Sequence, residues 1–168
     1  MNPASDIIVH KTIDDKFGLS TESGVTLIAP VWDHIKLPVN GVAMVERDHK
    51  WGLCSLSGEV LIQPQFDNIF SWNDKYIVVA NRDPKSSQIY CSQKYLCGVI
   101  NWDCEQIIPF KYANIVVYDC GLLKCYSKAE FRYGDNYKMD RLYDTGRSYV
   151  WVTINNVEVV KNEGYIHE

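Results

Sequence analysis

The chain has 168 residues, 46% of them hydrophobic, and this length is enough for one domain with a sizeable core. Its formal net charge is -4. Residues 1–83 hold seven Lys and Arg against eleven Asp and Glu, whereas residues 84–168 hold ten of each. This balance argues against a protein that binds the phosphate backbone of nucleic acids, and it leaves room for a basic protein partner. Because Tyr, Trp, Val and Ile are abundant, the composition favours an all-β fold.

The first residues carry neither a basic segment nor an apolar segment of the kind found in signal peptides. No stretch approaches the about 18 apolar residues that a membrane-spanning helix needs. The six cysteines fall at unrelated places and include no C-x-x-C pair, so we expect reduced thiols rather than a disulfide framework or a metal site. These features together predict a cytoplasmic protein that does not span a membrane.

In chain order, one pattern occurs three times. An interior glycine, at Gly18, Gly52 or Gly98, is followed fourteen residues later by an aromatic residue. The aromatic residues are Trp32, Phe66 and Tyr112. The glycines are 34 and then 46 residues apart, which indicates tandem units that share one core, in repeats 15–48, 49–83 and 95–128.

The second copy shows how each unit is built. The runs 41–47, 51–55 and 60–63 are rich in apolar residues, and turn-forming residues occupy 48–50 and 56–59. This is the pattern of antiparallel β-hairpins. We therefore predict a single all-β domain over 1–168, an open curved sheet or solenoid-like array of about three units plus caps, with propeller-like or barrel-like closure as the alternative.

The repeat contains two kinds of glycine, which we expect to have different structural roles. Gly18, Gly52 and Gly98 lie inside strands, where a glycine allows another strand or ring to approach the backbone closely. Gly24 and Gly58 lie where a tight turn needs a positive φ. A side chain at the first kind of position should clash.

The third copy lacks the turn glycine and has Asp103 or Cys104 in that region, so its turn is expected to differ. Each copy also has a proline, at Pro30, Pro64 or Pro109. Because proline has no N–H group, these residues should lie at a strand end or on an edge strand.

Two segments depart from the repeat. Residues 84–94 form a polar insertion between the second and third copies, and insertions in repeat arrays often gather on the binding face. Residues 129–168 read as a degenerate repeat or cap, with a hairpin from 149–154 and 157–160 around two asparagines. The sequence before Ile13 is expected to cap the opposite end.

The most regular copy, from Lys50 to Ile69, reads K-W-G-L-x-x-x-x-G-x-x-x-I-x-P-x-F-D-x-I and resembles the WG β-repeat family. The resemblance extends over about 115 residues, from Asp15 to roughly Lys128, with Cys97 in place of the tryptophan in the third copy. It implies β-rich bacterial modules, often in tandem, without a shared catalytic motif. Trp51 and Phe17 match the family's aromatic position and are expected to be core residues.

No catalytic or metal-ligating set stands out. The four histidines lie in four different local contexts without a Cys, Asp or His partner at the spacing of a metal site, and no nucleotide-binding or nucleophile motif occurs. Cys54 follows the Trp-Gly pair within a strand and is expected to be a buried apolar residue. We predict no catalytic residue, no metal and no cofactor.

Binding residues are sought instead at strand ends and in the insertion. Asp48 and Asp83 end equivalent strands and should project as a row, and Glu46 lies beside the first of them. The candidate partner-binding residues are therefore Glu46, Asp48, Asp83, Lys85, Gln88 and Tyr90.

The function that fits best is a noncatalytic protein-binding module, and most specifically a bacterial immunity protein that neutralises a toxin domain, often a basic one. The alternative is a sensor or scaffold module that recognises a ligand or peptide. Aromatic residues alternate with basic ones after Lys128, but the zero net charge of 84–168 argues against nucleic acid. The sequence leaves the partner and the oligomeric state open.

Overall fold

The computed structural model describes residues 6–84, 95–118, 120–126 and 149–153, together with the backbone of 158–162. The described residues form fifteen strands: β1 Ile7–Lys11, β2 Phe17–Thr21, β3 Thr26–Trp32, β4 His34–Ile35, β5 Val42–Arg47, β6 Lys50–Ser55, β7 Val60–Phe66, β8 Asn68–Trp72, β9 Ile77–Arg82, β10 Tyr95–Ile100, β11 Gln106–Tyr112, β12 Asn114–Val117, β13 Leu122–Tyr126, β14 Tyr149–Thr153 and β15 Glu158–Asn162.

The strands make four antiparallel sheets, in the orders β1-β2-β3, β4-β5-β6-β7, β8-β9-β10-β11 and β12-β13-β14-β15. Each sheet ends in two edge strands and none closes on itself. The prediction of an all-β fold of tandem antiparallel hairpins is confirmed. Within the described residues no helix is long and apolar enough to cross a membrane.

The chain divides into two compact units, residues 1–69 and 70–168. Unit 1 has a core built from both of its sheets, which contains Leu19, Ile28, Trp32, Ala43, Val45 and Cys54. Unit 2 has a core of its own, which contains Val78, Ala80, Cys97, Val99, Ile108, Tyr112, Ile115, Leu123, Cys125, Val150 and Val152. The single domain predicted over 1–168 stays a prediction.

The three copies share one register. In the first copy Phe17 pairs with Trp32 and Leu19 with Ile28, so that Gly18 faces three residues of the bulged partner strand. The second and third copies repeat this pattern around Gly52 and Gly98. An added Cβ would lie 2.5 Å from the Ile28 carbonyl oxygen at Gly18 and within 3.0 Å of the equivalent oxygens at the other two glycines. The predicted close approach is confirmed, and its cause is the bulge.

The prolines lie in this bulge. Pro30, Pro64 and Pro109 are interior residues of β3, β7 and β11, which are edge strands of their sheets. The predicted edge position is confirmed. Strand β7 of the second copy does not end at residue 63 but continues past the proline to Phe66. A missing N–H is tolerated there because the bulge interrupts the ladder of hydrogen bonds.

The third turn does not differ from the other two. Gly24 and Gly58 have φ values of 89° and 85°, as predicted, and Cys104 takes the same left-handed region with φ at 64°. The N–H groups of Gly24, Gly58 and Cys104 each donate to the carbonyl three residues earlier, at 2.9 Å, 3.0 Å and 3.1 Å. The expectation of a different turn was wrong because a cysteine adopts the glycine conformation here, at a steric cost.

The aromatic residue of the Trp-Gly pair is not a core residue. Phe17 and Trp51 are half-buried, whereas the aromatic residues fourteen positions after the glycines, Trp32, Phe66 and Tyr112, are buried. A lysine ammonium lies over each half-buried ring, Lys11 at 5.5 Å from the Phe17 centroid and Lys36 at 4.7 Å from the Trp51 centroid. The prediction of a core role for Phe17 and Trp51 was therefore wrong, because a cation rather than apolar side chains covers one face of each ring.

The C-terminal hairpin forms as predicted: β14 and β15 pair antiparallel, with Tyr149 opposite Asn162. At the other end of the chain β1 is the edge strand of the first sheet, in the place predicted for a cap. The remainder of the predicted cap over 129–168 lies largely outside the described residues.

Candidate functional site

A group of turn residues in unit 1 is the best candidate for a binding surface. The β1–β2 turn and the β5–β6 turn meet at Asp33, the single residue between β3 and β4. The Asp33 carboxylate accepts a hydrogen bond from Lys16 Nζ, just after the first turn. It also accepts one from the Asp48 backbone N–H, in the second turn, at 2.8 Å. Asp33 thus holds together two turns that belong to different sheets.

These hydrogen bonds stabilise the charged form of Asp33. The bond from Lys16 contributes most and the bond from the Asp48 N–H adds to it, so the pKa of the Asp33 carboxyl lies below its ordinary value. The second copy keeps the ion pair, with Lys50 Nζ 2.7 Å from Asp67 Oδ1. The Lys–Asp pair is therefore a structural part of the repeat rather than a site for a ligand.

Two histidines flank a half-buried glutamate beside this junction. Glu46 Oε2 lies 2.8 Å from His34 Nδ1, and His34 stacks on the Phe17 ring with centroids 5.6 Å apart. On its other side Glu46 Oε1 lies 4.0 Å from His49 Nδ1, and the His49 side chain is fully exposed. We call Asp14, Asp33, His34, Glu46, Asp48 and His49 the unit 1 rim.

The β5–β6 turn presents its side chains at a conformational cost. Arg47 pairs with Lys50, so Asp48 and His49 alone make the turn, and both have positive φ, 52° and 61°. Both values are those of a type I′ turn, which favours Asn-Gly. Asp and His are among the non-glycine residues that adopt this left-handed region most often, so the turn accommodates both side chains at its tip.

The rim is acidic because the cations of unit 1 are already engaged. Residues 1–69 hold five Lys and Arg against nine Asp and Glu. Lys11, Lys16 and Lys50 each pair with a carboxylate. The other two cations lie over rings, Lys36 over Trp51 and Arg47 over Trp32 at 4.5 Å. Within the described part of the chain, four exposed carboxylates of unit 1 take part in no ion pair: Asp14, Glu22, Asp48 and Glu59.

The predicted binding residues differ in their position and exposure in the structure. Glu46 and Asp48 come together in the rim, Asp48 exposed and the Glu46 side chain 13% exposed. Asp83 is only 4% exposed, so the prediction that it projects in a row with Asp48 was wrong. The reason is local: Asp48 lies at the tip of a two-residue hairpin, whereas Asp83 follows β9 without one. Lys85, Gln88 and Tyr90 lie outside the described residues.

Sequence reasoning missed four rim residues: Asp14, Asp33, His34 and His49. The repeat pattern placed His49 in a turn and indicated no role for the other three. The signal that could have found them is the charge balance of the repeat, since Lys16 and Lys50 stand in the same place in two copies, as Asp33 and Asp67 do.

The three buried cysteines of the described residues offer little nucleophilic chemistry. Burial raises the pKa of the Cys97 thiol to about 11 and that of Cys125 to about 12, and it also raises the pKa of Cys54. These three thiols are therefore protonated at neutral pH, as the prediction of a buried Cys54 expects. The described cysteines are all free thiols, and no group of three or more His, Cys, Asp or Glu among the described residues could hold a metal ion.

Comparison with known proteins assigns the repeats. The family model for the WG containing repeat matches residues 17–51 and again 51–83. Residues 17–83 belong to the WG β-repeat family. The third copy lies outside the matched residues, yet it reproduces the register of the other two, so the WG β-repeat architecture extends to Tyr112.

No curated protein matches the chain significantly. Among solved structures, it is similar to one described as "Crystal structure of the eukaryotic initiation factor", with 12% sequence identity and a TM-score of 0.48. That match covers 95% of this chain and 52% of the other, so the WG β-repeat chain spans about half the length of that protein.

Proposed function

We propose that this WG β-repeat protein is a noncatalytic, cytoplasmic module that binds another protein through the unit 1 rim and neutralises a basic toxin domain. The observation that carries the proposal is the state of the charges in unit 1. All five cations are engaged within the unit, and exposed carboxylates remain at the turns. A surface of one sign attracts a partner of the opposite sign and increases its association rate.

Rigidity of the rim supports the same proposal. Asp33 ties the two turns together, and Glu46 lies between two imidazoles, so the rim needs little ordering when a partner binds. Preorganised groups lose less conformational entropy on binding and so retain more of the interaction energy. An immunity protein uses this kind of surface to cover a toxin's active site.

The test uses two matched double variants of the full chain. Asp14→Asn with Asp48→Asn removes two exposed carboxylates from the β1–β2 and β5–β6 turns. Glu22→Gln with Glu59→Gln removes the same charge from the turns at the opposite ends of β2 and β6. Both pairs lie outside the ion pairs of the described residues, so both variants should fold.

Each form is co-expressed with the toxin-like reading frames that neighbour the gene, and growth is measured. The wild type and the Glu22/Glu59 variant should restore growth, and the Asp14/Asp48 variant should bind the same product about tenfold more weakly. If no neighbouring product is neutralised, the immunity role is wrong. An equal loss of affinity in both double variants would show that the net charge of the chain, and not the position of the carboxylates in the rim, determines binding.

A further inference from the structure

The sheet β12-β13-β14-β15 of unit 2 has an aromatic outer face. Along β13 and β14 burial alternates strictly, with Leu123, Cys125, Val150 and Val152 in the core. The residues between them point to the other face. In β9 and β10, by contrast, four consecutive residues of each strand are buried, so both faces of those strands are covered. Among the described residues, the outer face of β13 and β14 is therefore less covered than the faces of β9 and β10.

The side chains on this face are those of an interaction surface rather than of a solvated sheet. An antiparallel sheet with one buried face normally turns polar residues outward. Here β13 and β14 turn Lys124, Tyr126, Tyr149 and Trp151 outward, and Tyr118 joins them from the end of β12. Tyr and Trp dominate the energetically important positions of protein interfaces. We call these five residues the aromatic face.

Its rings are held in fixed positions. Tyr149 and Trp151 meet edge to face with centroids 6.0 Å apart, Tyr126 and Tyr149 are tilted at 5.9 Å, and Tyr118 lies 5.4 Å from Trp151. Such contacts order the rings before a partner arrives. Tyr118 is 41% exposed, and the neighbouring Val116 on the same side of β12 is 37% exposed. The other four residues of the face are half-buried, so the surface is partly accessible.

One positive charge lies at the centre. Lys124 Nζ is 3.9 Å from the centroid of Tyr149, 5.2 Å from Tyr126 and 5.8 Å from Trp151. It is the only charged side chain that the described strands β12 to β14 turn to this side. A hydrogen bond with Tyr126 raises the pKa of the ammonium group, which keeps it cationic at neutral pH.

From this arrangement we infer that the aromatic face is a second binding surface, distinct from the unit 1 rim, and that it takes an acidic segment of a protein partner. A carboxylate of the segment meets Lys124, and its flanking apolar side chains lie on Trp151 and Tyr149. The single cation gives the charge complement for one carboxylate. It supplies little of the phosphate neutralisation that binding of single-stranded nucleic acid requires.

The test is a selection of short random peptides on the full-length chain, followed by affinity measurements on individual peptides. Enriched peptides should carry Asp or Glu beside aromatic or large aliphatic residues. Lys124→Glu and Trp151→Ala should each weaken them by about tenfold or more, and Lys124→Gln should weaken them less than Lys124→Glu does. Lys75→Glu is the matched control, because Lys75 is an exposed lysine of the β8–β9 turn and lies on a different sheet.

Melting temperatures of all variants are compared first, and the Lys124→Gln variant remains informative if Lys124→Glu fails to fold. Selected peptides without an acidic residue, affinities unchanged by both Lys124 variants, or no enrichment over the Trp151→Ala chain would each overturn the inference. An oligothymidylate that binds the wild type and loses affinity in the Trp151 and Lys124 variants would assign the face to single-stranded nucleic acid instead.

Discussion

Gly18, Gly52 and Gly98 show why a Trp-Gly repeat needs its glycine. Each glycine faces a bulge whose strand brings a carbonyl oxygen within 3.0 Å of the place where a β-carbon would lie. At Gly18 and Gly52 the nearest atoms also include the nitrogen of the bulge proline. Glycine and proline therefore act together at the bulge. The proline has no N–H group that needs a hydrogen bond there, and the glycine leaves room for the bulged strand.

Replacing these glycines by alanine should destabilise the chain in proportion to the clash. Gly52→Ala brings a β-carbon to 2.4 Å from the Ile62 carbonyl oxygen and should lower the free energy of unfolding by about 2–3 kcal/mol. Gly98→Ala meets Ile108 O at 2.9 Å and should lower it by about 1 kcal/mol. Urea unfolding monitored by tryptophan fluorescence measures both.

Gly24→Ala serves as the control, because its β-carbon would meet nothing within 4 Å and only its φ of 89° is unfavourable. Equal free energies of unfolding for Gly52→Ala and wild type would show that the bulge adjusts freely and that the glycine has another purpose.

Cys104 offers the opposite change. It occupies the left-handed region that the other two copies give to glycine, and its turn keeps the same hydrogen bond. Cys104→Gly should raise the free energy of unfolding by about 0.5–1 kcal/mol, since relief of the β-carbon outweighs the added freedom of the unfolded chain. Cys104→Ala keeps the β-carbon and should bring no such gain. A Cys104→Gly chain less stable than the Cys104→Ala chain would contradict the account.

At the scale of elements, the sequence predicted the hairpins and the spacing of the repeat positions but not the sheets to which the strands belong. Alternation and turn residues are local signals, and the repeat positions appear at fixed spacing, so both could be read directly. The passage of the chain from one sheet to the next at Asp33, and the ion pairs that fix it, depend on contacts 17 residues apart in sequence. The environment of Trp51 depends in the same way on Lys36, which lies fifteen residues earlier in the chain.

The contribution of the Asp33 carboxylate to stability should be measurable at acid pH. Hydrogen bonds to its carboxylate place the folded-state pKa below the ordinary value of 3.8. The group therefore contributes stability that is complete above that ordinary value and is lost as the pH falls through the lower folded-state pKa. Asp33→Asn should unfold more readily than wild type at neutral pH, and its free energy of unfolding should fall less steeply below about pH 4.

Chemical denaturation at a series of pH values checks this expectation. Parallel profiles for wild type and Asp33→Asn would mean that the carboxylate is not stabilised in the folded state.

At the scale of the whole molecule, the two compact units differ in net charge. Residues 1–69 have four more acidic than basic residues, and residues 70–168 hold twelve of each kind. Unit 1 carries the acidic rim, and unit 2 carries an aromatic face with one lysine. Under the two proposals above, these surfaces of opposite character bind partners of opposite charge.

The central claim, that the unit 1 rim attracts a basic partner, is tested most directly by the association rate constant as a function of ionic strength. With the basic toxin domain proposed as the partner, the rate constant of the wild type should fall steeply with added salt. The Asp14/Asp48 double variant should show a much shallower slope, and the Glu22/Glu59 double variant should keep nearly the wild-type slope. Identical slopes for the wild type and the Asp14/Asp48 variant would contradict the claim.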